Sequence, residues 1–301
     1  MHKIPVIVVF GPTAVGKTDF LLHFQQIGEI INSDSLQVYR HMSIGTAKPD
    51  ESVTSRIPHH LVDCIDPDQE FSAGDFVNQA DILCQEIYGR GRIPIISGGT
   101  GFFLKNFIYG LPDAPPSSQE IRVLLKNRLE QEGLEALREE LHQKDPGSWA
   151  RIKPLDSYRI LRALEVFYTA GAPLSDYKLP DTMRPGYQFT LIGLIRDRAE
   201  LYDRINQRVE AMFKAGLPQE YKKLRAMGYK PDCPGLSAIG YKEFSLMEEL
   251  GSLTMNDVKE LIKQNSRNYA KRQITFFKAL PHVQWIHPDQ WQEVEKKCTL
   301  L

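Results

Sequence analysis

The sequence predicts an α/β protein: a parallel sheet flanked by helices, with an all-helical subdomain inserted into it. Three observations predict this. A glycine-rich turn joins an apolar run to a helical segment within residues 4–26, apolar strands then alternate with amphipathic segments up to residue 101, and residues 119–171 show helical periodicity alone. We therefore expect a core of residues 1–113 and 187–301, interrupted by a helical insertion at 114–186.

The glycine-rich turn follows the apolar run Ile4–Phe10 and reads Gly11-Pro-Thr-Ala-Val-Gly-Lys-Thr18. It fits the P-loop pattern G-x-x-x-x-G-K-[ST] between a strand and a helix, which makes the predicted fold one of the P-loop NTPase type. In such a loop the backbone N–H groups surround a phosphate, the lysine adds charge and the hydroxyl suits Mg²⁺. The predicted phosphate ligands are Gly11, Thr13, Ala14, Val15, Gly16, Lys17 and Thr18, with Thr18 also the predicted metal ligand.

Two more polar segments follow predicted strands. Residues 29–32 lead into a segment that contains Asp34, and residues 93–96, preceded by a crossover helix at Ala73–Tyr88, lead into Gly98-Gly-Thr-Gly101. Ligands of parallel sheets bind at the carboxyl ends of the strands. These segments are therefore expected to meet the substrate beside the P-loop.

The side chains in these segments allow several roles. Asp34 is a candidate turn-capping residue, metal ligand or general base, and Gln37 offers the donor and acceptor that fit an adenine edge. Thr100 is able to donate to an oxyanion or a diphosphate oxygen. Many P-loop hydrolases end a strand on a magnesium-binding Asp, whereas the strand at 93–96 ends at Ser97, which argues against hydrolysis of the γ-phosphate.

Helical patterns dominate the rest of the chain. In the insertion, Asp156 is the predicted N-cap of the last helix and Gly171 its terminator. The chain is expected to return to the sheet at Phe189–Ile195. The helices that follow are predicted at Ala199–Ala215, Gln219–Met227, Tyr241–Leu250 and, after a Thr254 cap, up to about Leu280.

Two stretches are basic although the formal net charge is only −1. Residues 258–281 carry six basic residues and one acid, and residues 151–162 carry four basic residues and one acid. Lys263, Arg267 and Lys271 share one face of the last helix. Such a face is either simply solvated or binds a phosphate-rich partner, and the excess of one sign favours binding.

Composition excludes other classes. The chain has 301 residues, 42% hydrophobic and 25% charged, which is typical of a soluble globular protein. The first apolar run enters the P-loop and no stretch approaches the ~20 apolar residues of a membrane span, so we expect a cytoplasmic protein that does not bind membranes. Cys64, Cys84, Cys233 and Cys298 lie far apart, which argues against a zinc site or disulfide framework.

Taken together, the motifs resemble those of bacterial tRNA dimethylallyltransferases, also called tRNA isopentenyltransferases, over nearly the whole chain. The matching segments are Gly11–Thr18, Asp34–Arg40, Ile44–Pro49, His59–Asp63, Gly98–Gly101, Arg162–Val166, Ala238–Glu243 and Tyr269–Gln273.

The resemblance implies transfer of a dimethylallyl group from dimethylallyl diphosphate to N6 of the adenosine beside the anticodon, with Mg²⁺ as cofactor and a monomeric enzyme. It implies that the P-loop binds the diphosphate, that Asp34 is the base and that Thr100 and Arg208 assist. The implied contacts with the tRNA anticodon stem-loop are Asp34, Ser35, Leu36, Gln37, Arg159, Lys263, Arg267, Lys271 and Arg272.

The chain departs from the family pattern before the Arg162 motif, where Leu155 and Tyr158 replace Asn and Gln. Three other functions remain open at this point. They are a small-molecule kinase that uses the P-loop for ATP, an enzyme that prenylates free adenine nucleotides, and a non-catalytic tRNA-binding protein.

Overall fold

The computed structural model describes residues 3–115, 118–178 and 180–292. Its six strands are all parallel and lie side by side in the order β3-β2-β4-β1-β5-β6. The strands are β1 (Ile4–Phe10), β2 (Gly28–Asn32), β3 (His59–His60), β4 (Ile93–Gly98), β5 (Tyr187–Leu194) and β6 (Gln284–Ile286). The predicted α/β fold with a parallel sheet is confirmed.

Helices and loops connect the strands. The helices are α1 (Lys17–Leu21), α2 (Glu51–Thr54), α3 (Ala73–Gly89), α4 (Gly101–Tyr109), α5 (Gln119–Glu132), α6 (Leu134–Lys144), α7 (Pro146–Arg151), α8 (Ser157–Ala170), α9 (Arg198–Lys214), α10 (Leu217–Ala226), α11 (Lys242–Leu250) and α12 (Met255–Lys278).

The two edge strands were not predicted from the sequence. Strand β3 has two residues and β6 has three, and neither contains the apolar run that identifies a buried strand. The longer strands β1, β2, β4 and β5 lie where the apolar runs predicted them, within two residues at each end. Burial on both faces of a parallel sheet explains why those runs are mostly apolar.

The first helix is shorter than its pattern suggested. A helix was expected over residues 19–26, but α1 starts at the P-loop lysine and is followed by a 3-10 turn at Leu22–Phe24. The predicted caps are confirmed elsewhere: Thr254 and Asp257 form a reciprocal capping box on α12, and Asp156 accepts the N–H of Arg159 at the start of α8. Gly171 ends α8 with φ 68°, a left-handed conformation that glycine adopts without strain.

By compactness, the described chain divides into a unit of residues up to 108 and from 184 onward, and a helical unit of residues 109–183. The helical unit has its own apolar core, drawn from three of its helices. The buried members of this core are Leu125, Leu137, Leu141, Ile160, Ala163 and Leu164. Leu124, which belongs to the same apolar pattern, is exposed instead.

In the larger unit, the ends of the chain that border the helical unit are fixed side by side. The N–H of Arg184 donates to the carbonyl of Ile108 over 2.9 Å. The Arg184 guanidinium also makes two hydrogen bonds to the Asp81 carboxylate, over 2.8 and 2.7 Å, and the Tyr187 hydroxyl donates to the same carboxylate over 2.7 Å. A bidentate pair of this kind holds its partners in one geometry.

Cys64, Cys84 and Cys233 are free thiols, and Cys298 lies outside the described residues. In the part of the chain that the structure describes, none of the helices combines the length and apolar character needed to cross a membrane.

Candidate functional site

Strands β2, β4 and β1 are neighbours in the sheet, so the polar segments that follow them lie at one edge. Asn32 of β2 pairs with Ser97 of β4, and Gly98 of β4 pairs with Phe10 of β1. The Asp34 segment, the glycine-rich turn and the P-loop therefore begin side by side, as the sequence predicted from the carboxyl ends of parallel strands.

The P-loop curls back on itself between β1 and α1. Gly16 has φ 105°, a conformation that other residues rarely adopt, and it turns the chain into the helix. The Lys17 ammonium donates to the carbonyls of Gly11 over 2.9 Å and Pro12 over 3.0 Å. An ammonium has three hydrogens, so one remains for a phosphate oxygen.

The environment of Lys17 weakens its hold on its proton. Desolvation by burial lowers the pKa of Lys17 to about 8, while the negative charge of Asp34 opposes the shift and the positive charge of Arg208 adds to it. A desolvated cation gains strongly from an anionic partner. The loop is therefore suited to a phosphate group that restores the charge balance.

Asp34 lies in a tight turn beside these cations. Its Oδ1 accepts the N–H of Leu36 over 2.9 Å, which is the capping role that short acidic side chains take in turns. Its charge also acts on Lys17, Arg208 and Tyr269, so these three side chains lie near the carboxylate. The turn thus uses one carboxylate oxygen and leaves the other, Oδ2, available for chemistry.

Thr100 ties the glycine-rich turn to the Asp34 segment. Its Oγ1 accepts the N–H of Ser35 over 2.9 Å and lies 3.2 Å from the Ser35 hydroxyl, to which it donates. Gly98 allows this approach, because a Cβ at this position would lie 2.4 Å from the Ser33 carbonyl carbon. Thr100 therefore positions the residues around Asp34 as well as presenting a hydroxyl group.

Three arginines of the region after β5 hold the P-loop. Arg196 donates to the Val15 carbonyl over 2.8 Å, and Arg204 donates to the Ala14 carbonyl over 2.9 Å. Arg208 donates to the Thr13 hydroxyl over 3.4 Å, and burial lowers its pKa although the Asp34 charge opposes the shift. Of the three, only Arg208 was predicted from the sequence; the two arginines that fix the loop carbonyls were not.

The role of Gln273 on α12 was not predicted either, although this residue ends the Tyr269–Gln273 motif. Its side chain is 5% exposed. Its Oε1 accepts the Thr13 N–H over 2.9 Å and its Nε2 donates to the Gly99 carbonyl over 2.8 Å. Gln273 therefore links the P-loop to the glycine-rich turn, and the Thr13 N–H is engaged with protein instead of facing a phosphate.

Tyr269 lies one turn before Gln273 on α12, at the same site. Burial and the Asp34 charge raise the pKa of Tyr269 to about 12, so it stays neutral over the physiological range. The signal for a site was the polar character of both side chains on the buried face of a helix.

The predicted basic face of α12 is divided in two. Lys263 bonds to Glu210 of α9 over 2.6 Å and to Glu260 over 2.7 Å, and Arg267 donates to Asn206 over 2.6 Å. Lys271 and Arg272 are exposed, and the Arg272 guanidinium lies 5.7 Å from the Tyr269 ring centre. The charge count along the helix missed Glu210, which comes from another element and balances its first half.

The remaining predicted RNA contact, Arg159, belongs to the helical unit. Its side chain is 66% exposed and pairs with Asp156 over 3.1 Å. Leu155 and Tyr158, the two departures from the family pattern, are 88% and 77% exposed. An exposed aromatic ring beside an arginine is a common combination in RNA-binding surfaces.

Of the predicted base-reading residues, Ser35, Leu36 and Gln37 are all partly buried within the turn that follows Asp34. Gln37 uses its amide nitrogen within the protein, because Nε2 donates to the carbonyls of Thr46 and Ala47, each over 3.2 Å. The expectation that both groups of this amide face a base is therefore not met.

The residues present suit Mg²⁺ only if a phosphate ligand accompanies it. Thr18 is exposed at the start of α1, and the described residues contain no group of three or more His, Cys, Asp or Glu placed to hold a metal ion. Mg²⁺ keeps several waters and is often held by one or two protein groups together with substrate phosphates. A single hydroxyl beside a phosphate loop fits that pattern.

Comparison with known proteins bears on this geometry. The IPP transferase family model matches residues 37–280. The tRNA dimethylallyltransferase of Geobacter sulfurreducens is 40% identical over 287 residues, covering 94% of this chain and 92% of that protein. That of Thermoanaerobacter sp. is 41% identical over 300 residues, covering 97% of this chain and 95% of that protein.

Solved structures are similar as well. The tRNA isopentenylpyrophosphate transferase of Bacillus halodurans is 36% identical with a TM-score of 0.71, covering 99% of this chain and 96% of that one. A eukaryotic dimethylallyltransferase solved while acting on tRNA is 29% identical with a TM-score of 0.76, covering 94% of this chain and 74% of that one.

Proposed function

Because the chain belongs to the IPP transferase family and is a prenyltransferase that modifies tRNA, we propose that it transfers a dimethylallyl group from dimethylallyl diphosphate to N6 of the adenosine adjacent to the anticodon. Diphosphate is the second product. The observation that carries the proposal is the arrangement of Lys17, Arg208 and Asp34, two desolvated cations and a carboxylate at the mouth of a phosphate loop.

The diphosphate of the donor binds at the P-loop in this proposal. Lys17 and Arg208 are cations whose pKa values burial has lowered, so an anionic ligand that approaches them is favoured by charge neutralisation. Arg196 and Arg204 occupy the carbonyls of Val15 and Ala14. The N–H of Thr13 donates to Gln273 and that of Val15 to the Pro12 carbonyl, so the remaining N–H groups of the loop are the ones that face a phosphate in this proposal.

Transfer breaks the bond between C1 of the allyl group and the diphosphate oxygen, which keeps the electron pair. The N6 lone pair forms the new bond to C1, and the proton on N6 passes to the Asp34 carboxylate. Lys17 and Arg208 stabilise the negative charge that develops on the leaving group, an effect worth several kcal/mol in comparable sites.

Thr100 has a supporting part. Its hydroxyl holds Ser35 and so fixes the turn that carries Asp34, and it is placed to orient the amine or a diphosphate oxygen. Mg²⁺ bound by Thr18 and the diphosphate would supply further neutralisation of the leaving group. We further infer a monomer, which light scattering on the purified protein would test, and a cytoplasmic location, which cell fractionation would test.

The test uses labelled dimethylallyl diphosphate, Mg²⁺ and an anticodon stem-loop with adenosine beside the anticodon. Parallel reactions contain AMP in place of RNA, and a stem-loop with guanosine at the acceptor position serves as the matched control. We expect label in the adenosine stem-loop and little in either control.

The other outcomes separate the alternatives. Label in AMP at the same rate as in RNA would move the substrate to free adenine nucleotides. Consumption of ATP with a small acceptor, and no label in RNA, would favour a kinase. RNA binding without any transfer would indicate a non-catalytic protein.

A further inference from the structure

Glu220 of α10 accepts four hydrogen bonds from a loop and from a buried tyrosine. Its Oε2 accepts the N–H groups of Ser43 and Ile44 over 2.9 and 2.8 Å. Its Oε1 accepts the N–H of Gly45 over 3.0 Å and the hydroxyl of Tyr241 over 2.7 Å. A carboxylate that accepts this many hydrogen bonds holds its partners firmly in place, because charge-assisted hydrogen bonds are stronger than neutral ones.

Tyr241 contacts both Glu220 and the segment that Glu220 holds. It is fully buried, and a Cβ on Gly45 would lie 2.5 Å from its ring, so the ring and the glycine are in direct contact. The segment after Met42 is itself folded tightly, since the N–H of Ala47 donates to the Ile44 carbonyl over 3.0 Å. Glu220 and Tyr241 therefore fix the position of the carbonyls that follow Gly45.

Those carbonyls decide how Gln37 is oriented. Both partners of its side chain, Thr46 O and Ala47 O, are acceptors, so the amide must turn its NH₂ group toward them. Both hydrogens of Nε2 are then used. Within the described part of the chain Oε1 has no hydrogen-bond partner, and it is not fully buried, so it is free to accept a hydrogen bond from a ligand.

We propose that Glu220 and Tyr241 are positioning residues that hold Gln37 with only its Oε1 acceptor toward the substrate, so that Gln37 reads an exocyclic amine. The inference rests on the proposed function and deepens it. Adenine presents an amino group at N6, which donates to Oε1. Guanine presents a carbonyl oxygen there, which faces Oε1 with like polarity and is rejected.

An acceptor-only amide also explains how one adenine amine serves two groups. The N6 amine has two hydrogens, and loss of one to Asp34 leaves the other for Gln37. An amide free to flip would offer NH₂ as readily as oxygen and would discriminate poorly. Fixing its orientation beforehand supplies specificity without a further contact.

The experiment compares two stem-loops that differ at the acceptor nucleotide only, one with adenosine and one with purine riboside, which lacks the amine. Binding of each is measured by fluorescence anisotropy for the wild type, Gln37→Leu, Glu220→Gln and Tyr241→Phe. Tyr221→Phe is the matched control, because Tyr221 is a buried tyrosine of the same helix as Glu220 whose hydroxyl contacts Ser245 instead.

We expect the wild type to bind the adenosine stem-loop roughly tenfold more tightly than the purine stem-loop, the effect of one hydrogen bond with an otherwise unpaired acceptor. Gln37→Leu is expected to abolish this ratio. Glu220→Gln and Tyr241→Phe are expected to reduce it to roughly threefold or less, because part of the hydrogen-bond preference is lost. Tyr221→Phe is expected to preserve it.

A ratio that survives in Gln37→Leu would show that Gln37 does not read the amine. A ratio lost in Gln37→Leu but intact in both Glu220→Gln and Tyr241→Phe would show that these two residues only support the fold. If the wild type shows the ratio but never transfers label, the proposed function fails instead. If it transfers label without the ratio, the inference about Gln37 fails alone.

Discussion

The two ends of strand β2 treat charge in opposite ways. At its start, Glu29 accepts hydrogen bonds from Arg90 and His60, each over 2.8 Å, with Arg92 at 3.5 Å. Just beyond its end, Asp34 lies near two cations, yet its described hydrogen bond is to a backbone N–H. The Glu29 carboxylate is therefore paired with its cationic neighbours, whereas the Asp34 carboxylate is near cations without being paired with them.

The difference shows in where the cations donate. Lys17 donates to the carbonyls of Gly11 and Pro12, and Arg208 donates to the hydroxyl of Thr13. Within the described residues, neither cation forms an ion pair with Asp34. Direct pairing would stabilise the free protein and oppose ligand binding. Cations held by neutral partners remain able to exchange them for a diphosphate.

The largest effect is expected from removing the base Asp34, just beyond the end of β2. Asp34→Asn keeps the size of the side chain and an oxygen for the Leu36 N–H but removes the base. We expect kcat for prenyl transfer to fall roughly 10²–10⁴-fold, the usual contribution of a positioned base. Thermal unfolding should be nearly unchanged, since Asp34 is in no recorded ion pair, and rapid-quench kinetics should show that donor binding persists.

A fall in donor affinity with normal chemistry would contradict this prediction. Asp34 would then act on the diphosphate or its metal instead of on the amine.

At the start of β2, substitution of Glu29 should lower stability and leave activity unchanged. Glu29→Gln leaves Arg90 and His60 without their carboxylate partner, and we expect the free energy of unfolding to drop by about 2 kcal/mol, less than for a fully buried pair because both partners are partly exposed. Activity of the folded fraction should be retained. Denaturant unfolding and a transfer assay on the same samples separate the two effects.

The pH dependence of stability has a defined sign at this site. Burial alone would raise the pKa of Glu29, but hydrogen bonds from Arg90 and His60 outweigh it and hold the pKa below its ordinary value of 4.5. The stabilisation is therefore present above pH 4.5 and is lost as the pH falls through the lowered value. Glu29→Gln should remove this part of the acid sensitivity, and an unchanged acid profile would contradict the assignment.

The comparison also shows what the sequence could and could not predict. The P-loop, the long strands and the Asp34 turn follow from local patterns, because each depends on neighbouring residues. The partners of Gln273 and Lys263 could not be predicted, since Thr13, Gly99 and Glu210 are far away in the chain. Edge strands of two or three residues carry too little apolar pattern to be recognised.

The lowered pKa of Lys17 predicts a third, smaller effect, on the pH dependence of diphosphate affinity. Its folded pKa of about 8 means that the ammonium loses its proton as the pH rises above 8. We expect diphosphate affinity to fall by up to about tenfold per pH unit above that value, and binding at pH 8.5 to take up a proton. Isothermal titration in two buffers of different ionisation enthalpy measures the uptake directly.

Lys17→Arg is the control for this prediction, because guanidinium stays charged over the whole range. Its diphosphate affinity should be weaker but independent of pH between 7.5 and about 10. A wild-type affinity that is equally flat would mean that Lys17 is protonated throughout or does not contact the ligand.

The smallest effect extends the contrast between paired and unpaired cations to α12. Lys263 and Lys271 are eight residues apart on one face, but Lys263 bonds to Glu210 and Glu260, whereas Lys271 is exposed and has no side-chain partner among the described residues. A cation that is not already paired within the protein neutralises an RNA phosphate and displaces its condensed counterion. We therefore expect Lys271→Ala to weaken stem-loop binding about threefold and to reduce the salt slope by about 0.7, as for one phosphate contact on a single strand. Lys263→Ala should leave the slope unchanged, and equal slopes for both variants would show that the ion pairs of Lys263 open when RNA binds.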